Sequence, residues 1–134
     1  MALLVDSSVW IAGADAKNEE CLLLKRMVQR GDLLYIATPI QVEVCQGARS
    51  EFEFRRLWDA FLGFNFLEIS RKHWELCAWN YYRCWKKGIT PTTIDCLIAT
   101  LAAEYRIELW SIDKVFKSLG PILGFDLRGS GSTR

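Results

Sequence analysis

The sequence predicts an α/β fold, a central and mainly parallel β-sheet with helices on both faces. Three observations predict it. Short apolar runs, each long enough for one buried strand, recur along the chain. Helical stretches with terminal glycines or capping residues separate them. The chain has 134 residues, 51% hydrophobic and 25% charged, enough for one packed core and too apolar for disorder.

Residues 2–5 form the first strand, ending at Asp6. Residues 18–30 carry apolar side chains at 21, 24 and 28 with Gly31 behind them, which predicts a helix closed by glycine. Residues 33–36 are the second strand. Thr38, Pro39 and Gln41 read as a helix start, with threonine as N-cap, proline at the first position and glutamine three residues on. That helix carries Glu43 and ends near Gly47. A helix over 51–62, a strand within 64–69 and a long helix over 71–87 closed by Gly88 follow. Thr92 and Asp95 open the next helix, whose stretch 96–105 is almost wholly apolar and therefore central. Residues 108–112 are a strand ending at Asp113, a short helix spans 114–119, and 122–127 read as a last edge strand. We expect one domain over 1–127. The tail 128–134, rich in Gly and Ser, is expected to be flexible and resembles a cloning remnant.

No apolar run approaches the roughly 18 residues of a membrane span. The start Met1-Ala2-Leu3-Leu4-Val5-Asp6 lacks the basic opening and long apolar stretch of a signal peptide. The five cysteines, at 21, 45, 77, 84 and 96, are odd in number and form no C-x-x-C pair. Reduced thiols and a cytoplasmic location are the expectation. The net charge of +1 does not announce a nucleic-acid binder. It does not exclude one either, because carboxylates gathered on a cation are not free negative charge.

Function in such sheets gathers outside the carboxyl ends of the strands. Asp6 and Asp113 each follow a strand, and Glu43 and Asp95 lie early in helices that begin near the same edge. Their separations, 37, 52 and 18 residues, are too long for a local motif, so only the fold can unite them. Two unit charges about 4 Å apart cost on the order of 4 kcal/mol at an effective dielectric near 20, so such a cluster needs protons or a cation. Oxygen-only ligands select hard ions, Mg²⁺ or Mn²⁺. An ion of this kind can activate a water and clamp a phosphate oxygen, which is metal-assisted phosphodiester hydrolysis. Each acid taken singly also has a structural reading. Asp6 can make an Asx-turn with Ser7 and Ser8, Asp95 can complete a capping box with Thr92, Asp113 can cap a helix, and Glu43 can sit on a solvated face.

The neighbours of these acids decide between the readings. The segments 3–11 (LLVDSSVWI), 38–49 (TPIQVEVCQGAR), 95–102 (DCLIATLA) and 111–116 (SIDKVF) resemble, in order and spacing, the four motifs of PIN domains, more narrowly of VapC-type toxins of bacterial toxin–antitoxin pairs. The resemblance runs from Leu3 to about Leu127. It implies a PIN-like fold and an Mg²⁺- or Mn²⁺-dependent endoribonuclease that hydrolyses RNA by a metal-activated water and arrests translation. Asp6, Glu43, Asp95 and Asp113 would be the catalytic, metal-holding acids, and Ser7 or Ser8 would place a water or phosphate. A small antitoxin would be the partner, transfer, ribosomal or messenger RNA the substrate, and a homodimer the assembly. Many relatives carry a further aspartate two residues after the fourth acid. Here that position is Val115, which points to one tightly held ion, with any second recruited by the substrate. Val115 is also the feature that favours the alternative, a non-catalytic PIN-like module that binds RNA or protein. An aspartyl-nucleophile phosphatase would want a second aspartate where this chain has Ser8.

Among basic residues, Lys114, beside Asp113, and then Arg49 are the best placed for RNA phosphates. The stretch 71–87 is unusually aromatic, with Trp74, Ala78, Tyr81 and Trp85 on one helical face. Subunit or core packing is its ordinary use, and base stacking or an antitoxin groove the sharper one. His73, Cys77 and Cys84 share a face but lack a fourth ligand for a soft metal.

Overall fold

The computed structural model describes residues 2–13 and 19–129, so Asn18 and the tail residues 130–134 lie outside the described residues. The chain forms two compact units, Met1–Leu67 and Glu68–Arg134.

In the first unit, strand β1 (Ala2–Val5) lies parallel to β2 (Leu33–Ile36), and β2 lies parallel to β3 (Asn65–Phe66). The register sets Leu3 against Leu34 and Leu4 against Tyr35. Parallel neighbours require crossovers rather than hairpins. Helices α1 (Ser7–Ala12) and α2 (Glu19–Arg30) cross from β1 to β2. Helices α3 (Thr38–Cys45) and α4 (Glu51–Phe61) cross from β2 to β3. Leu4, Val5 and Ile36 are wholly buried, as the β-branched and leucine-rich composition of both strands demands.

Side-chain contacts lock these crossovers. Trp10 meets Phe61 and Phe64 edge-on, both at 5.1 Å between ring centroids, and its indole N–H donates to the Val5 carbonyl at 3.0 Å. An indole packed between rings needs such an acceptor for its N–H. Gln41 is buried in α3 and donates to the Trp58 carbonyl of α4 at 3.1 Å. The Ser50 hydroxyl caps α4 by accepting from the Glu53 N–H.

Two local expectations change here. The N-cap of α3 is Ala37, and Thr38 is already helical. Ala37 is fully buried and still extended as it leaves β2, so the chain passes straight from strand into helix and Pro39 fits the first turn. The strand expected within 64–69 contracts to two residues.

The second unit is built on α6 (Thr93–Tyr105), buried from Cys96 through Ala102. Around it stand α5 (Arg71–Lys86), β4 (Glu108–Trp110) and α7 (Val115–Leu123). A polar chain crosses this core. Arg83 donates to the Asn80 side-chain oxygen and to the Ile122 carbonyl, at 3.1 and 2.7 Å. The Asn80 amide donates to Thr100 Oγ1 at 3.0 Å, and that hydroxyl donates to the Cys96 carbonyl at 2.7 Å. No group in this chain is left unpaired, which is the condition for burying it. Helix α5 starts on a capping box in which His73 Nδ1 accepts the Ser70 N–H at 2.9 Å.

The cysteines Cys45, Cys77, Cys84 and Cys96 are free and buried. Burial pushes the Cys45 and Cys84 thiols up. The closeness of the two thiols holds Cys77 below the usual thiol range and pushes Cys96 up.

The edge strand expected over 122–127 is not one. Phe116, Leu119 and Leu123 recur at helical spacing and bury one face of α7, which runs to Leu123. Gly124 ends it with φ at +81°, a conformation that favours glycine. Only Leu127 pairs, bridging Leu109 in parallel, and Arg128 lies over the Trp110 ring.

Replacing Asn80 by Ala orphans the inner nitrogen of Arg83 and one lone pair of Thr100. Urea denaturation should show a loss of about 1–3 kcal/mol, the cost of unsatisfied buried polar groups.

Candidate active site

The first unit brings four of the expected site residues together. Asp6 leaves β1 as the N-cap of α1 and is 4% exposed. Its Oδ2 accepts from the Ser8 hydroxyl at 2.7 Å and from the Ser8 N–H at 3.4 Å. The adjacent Ser7 hydroxyl donates to Glu43 Oε1 at 2.9 Å. Glu43 is half-buried on α3. Two consecutive serines thus each hold one carboxylate, 36 residues separating Ser7 from its partner. The Asx-type reading of Asp6 is therefore correct as local structure, and the cap also orients the carboxylate. Arg49 is exposed between α3 and α4, where its N–H donates to Glu53 Oε1 at 2.6 Å.

The second unit carries the other two acids. Asp95 is half-buried in the first turn of α6, and its N–H donates to the Thr92 hydroxyl at 3.1 Å. The helix N-terminus favours its negative charge. Asp113 is exposed and stands three residues beyond the end of β4. It is fixed from both sides: its N–H donates to Ser111 Oγ at 3.0 Å, and its Oδ1 accepts the Val115 N–H at 3.1 Å. Sequence reasoning passed over Ser111 as an orienting residue. Its only signal was a hydroxyl two residues before the acid, the ST-turn spacing. Lys114, next in the chain, is exposed at the start of α7.

The Nδ1 of His73 is engaged in the α5 cap. The donor set is made of carboxylate and hydroxyl oxygens only. That chemistry fits a hard divalent ion and does not fit zinc. Among the described residues, no three His, Cys, Asp or Glu side chains form a ready cage for a metal. Mg²⁺ does not need one, since it keeps several waters and takes few direct carboxylate ligands.

The family model for the PIN domain matches residues 3–120. No curated protein matches the sequence. Several solved structures share the fold. VapBC2 from Rickettsia felis, bound to a DNA fragment from its promoter, superposes with a TM-score of 0.76 at 15% identity, over 96% of this chain and 98% of that one. VapBC-1 from nontypeable Haemophilus influenzae gives 0.73 at 18% identity, over 96% and 97%. VapC20 from Mycobacterium tuberculosis, described as a sarcin–ricin-loop cleaving toxin, gives 0.68 at 14% identity, over 88% and 95%.

Replacing Ser7 by Ala removes the donor to Glu43 and leaves the Asp6 cap in place. Chemical denaturation should register a loss of about 1 kcal/mol, the net worth of one such bond.

Proposed function

Because this chain belongs to the PIN domain family, we propose that it is a VapC-type endoribonuclease, the toxin of a toxin–antitoxin pair. The observation that carries the reading is the tie between Ser7 and Glu43 beside the Ser8–Asp6 bond. It holds two carboxylates in fixed orientation at the carboxyl end of a parallel strand, where α/β folds place their chemistry.

Asp6, Glu43, Asp95 and Asp113 would hold Mg²⁺ or Mn²⁺, directly or through its waters. When bound, the ion would acidify a water and neutralise charge on the scissile phosphate. The chain's own residues would do the rest. Ser7 and Ser8 hold the carboxylates in register before any ligand arrives, so little ordering remains to be done on binding. Ser111 fixes the backbone of Asp113, whose carboxylate accepts the Val115 N–H. Lys114 and Arg49 would meet backbone phosphates of the RNA, adding affinity without sequence preference. Val115, in place of a further acid, fits one firmly held ion.

The relatives crystallised as VapBC pairs support a small antitoxin as partner, and VapC20 supports RNA as substrate. Arrest of translation and a cytoplasmic location belong to the same reading, as does a single domain spanning 1–127. A homodimer does too. Its second copy would cover the outer rings of α5, where Trp79, Tyr82 and Trp85 stack at 5.5 and 6.3 Å in succession and stand about half exposed.

Purified protein should cut RNA in Mg²⁺ and stop in EDTA. Asp6→Asn and Asp95→Asn should keep the wild-type circular dichroism spectrum and lose cleavage to the level of buffer alone. Equal cleavage by wild type and Asp95→Asn overturns the enzyme, and RNA retained on a filter without any cutting would favour the binding module instead. Sedimentation should show a dimer that the double substitution Trp79→Ser and Trp85→Ser converts to monomer. A wild type that sediments as a monomer at every concentration refutes the dimer.

A further inference from the structure

The thiols of α5 and α6 have no part in the chemistry above. Cys77, on α5, and Cys96, on α6, face each other in the second unit. Cys96 Sγ donates to the Cys77 carbonyl at 3.4 Å, and the Cys77 thiol donates to the Thr93 carbonyl, one turn before Cys96, at 3.7 Å. The pair therefore sits within one side-chain length across a helix contact. The two members differ in access. Both are buried, Cys77 at 4% and Cys96 at 0% exposure, but Cys77 lines a cavity of about 360 Å³ together with Trp74, Ala78, Tyr81 and Thr93. That space holds several molecules the size of water, at about 30 Å³ each. Cys84, a third thiol on the same side of α5, is fully buried and does not line this cavity.

Such an arrangement, one thiol beside an aromatic pocket and a second next to it across the helix contact, has the layout of an attacking and a resolving cysteine. We propose that Cys77 and Cys96 form an oxidative modification site, in which a small hydroperoxide entering the Trp74–Tyr81 cavity converts the pair to a disulfide joining α5 to α6.

The Cys77 thiolate attacks one peroxide oxygen, an S–O bond forms, the O–O bond breaks, and the departing hydroxide, or alkoxide from an alkyl hydroperoxide, takes up the proton that Cys77 gave up. The Cys77 sulfenic acid is then attacked by Cys96 sulfur. The S–S bond forms, the S–O bond breaks, and the second hydroxide leaves with the Cys96 proton as water. Two thiols are oxidised and one hydroperoxide is reduced, and a dithiol such as dithiothreitol reverses the change.

The test uses the full chain, treated with hydrogen peroxide, alkylated after unfolding, and analysed as intact mass and peptides. The expected result is a mass lower by two hydrogens, a cross-linked peptide joining Cys77 to Cys96, and full recovery in dithiothreitol. Cys84→Ser should behave as wild type, and Cys77→Ser should lose the cross-link. Cys96→Ala should instead accumulate a sulfenic acid at Cys77 that dimedone traps, which keeps the test open should Cys77→Ser fold poorly. Cys77 remaining fully alkylatable after peroxide, or a cross-link mapping to Cys84, overturns the proposal. None of these readouts depends on RNA cleavage, so the outcome stands apart from the nuclease assignment.

Discussion

Two negative side chains at one strand end repel, and the structure answers that repulsion with hydroxyl protons. Ser8 donates to Asp6 and Ser7 to Glu43, so adjacent residues of one helical turn hold acids that come from β1 and α3. The arrangement depends on the parallel pairing of β1 with β2, which sends α1 and α3 off the same end of the sheet. It also depends on Trp10, whose indole bond to the Val5 carbonyl and edge contacts with Phe61 and Phe64 fix the start of α1. Everything chemical in the first unit is downstream of that anchoring.

The strands of this unit were legible because burial on both faces leaves continuous apolar runs. Leu3, Leu4 and Val5, then Leu34 and Ile36, stand where their composition places them. Helix α1 was not legible. Six residues are too short for a period, and Ser7-Ser8 after Asp6 reads equally as an Asx-turn, which the first bonds of α1 in fact contain. The stretch after Lys114 misled in the opposite sense. Ile122 and Leu123 form a short apolar run that serves strand and helix alike, and the spacing of Phe116, Leu119 and Leu123 decides for helix only once a core is present to receive it. As for the site, the identity of each acid was readable from its neighbours, and Asp95 in a capping turn and Asp113 in a helix-entry turn were foreseen as local structure. The Ser7–Glu43 tie was not, since a contact across 36 residues has no signature in spacing.

Helix α5 shows how one element serves two masters. Its inner face gives Cys77, Asn80 and Cys84 to the core and lodges a polar chain there. Its outer faces carry Trp74, Trp79, Tyr81, Tyr82 and Trp85, all substantially exposed. Scattered apolar residues on a surface are ordinary, but five large rings on one helix are not. The inner face explains why the helix folds, and the outer one asks for company.

The crossover topology carries a consequence in time. β1 emerges first during synthesis, yet its neighbour begins at Leu33, and the acid that Ser7 holds waits until Glu43. Pairings of this kind form slowly, because a long loop must close before any contact rewards it. A chain still leaving the ribosome therefore presents Asp6 without Glu43 beside it until α3 has been made.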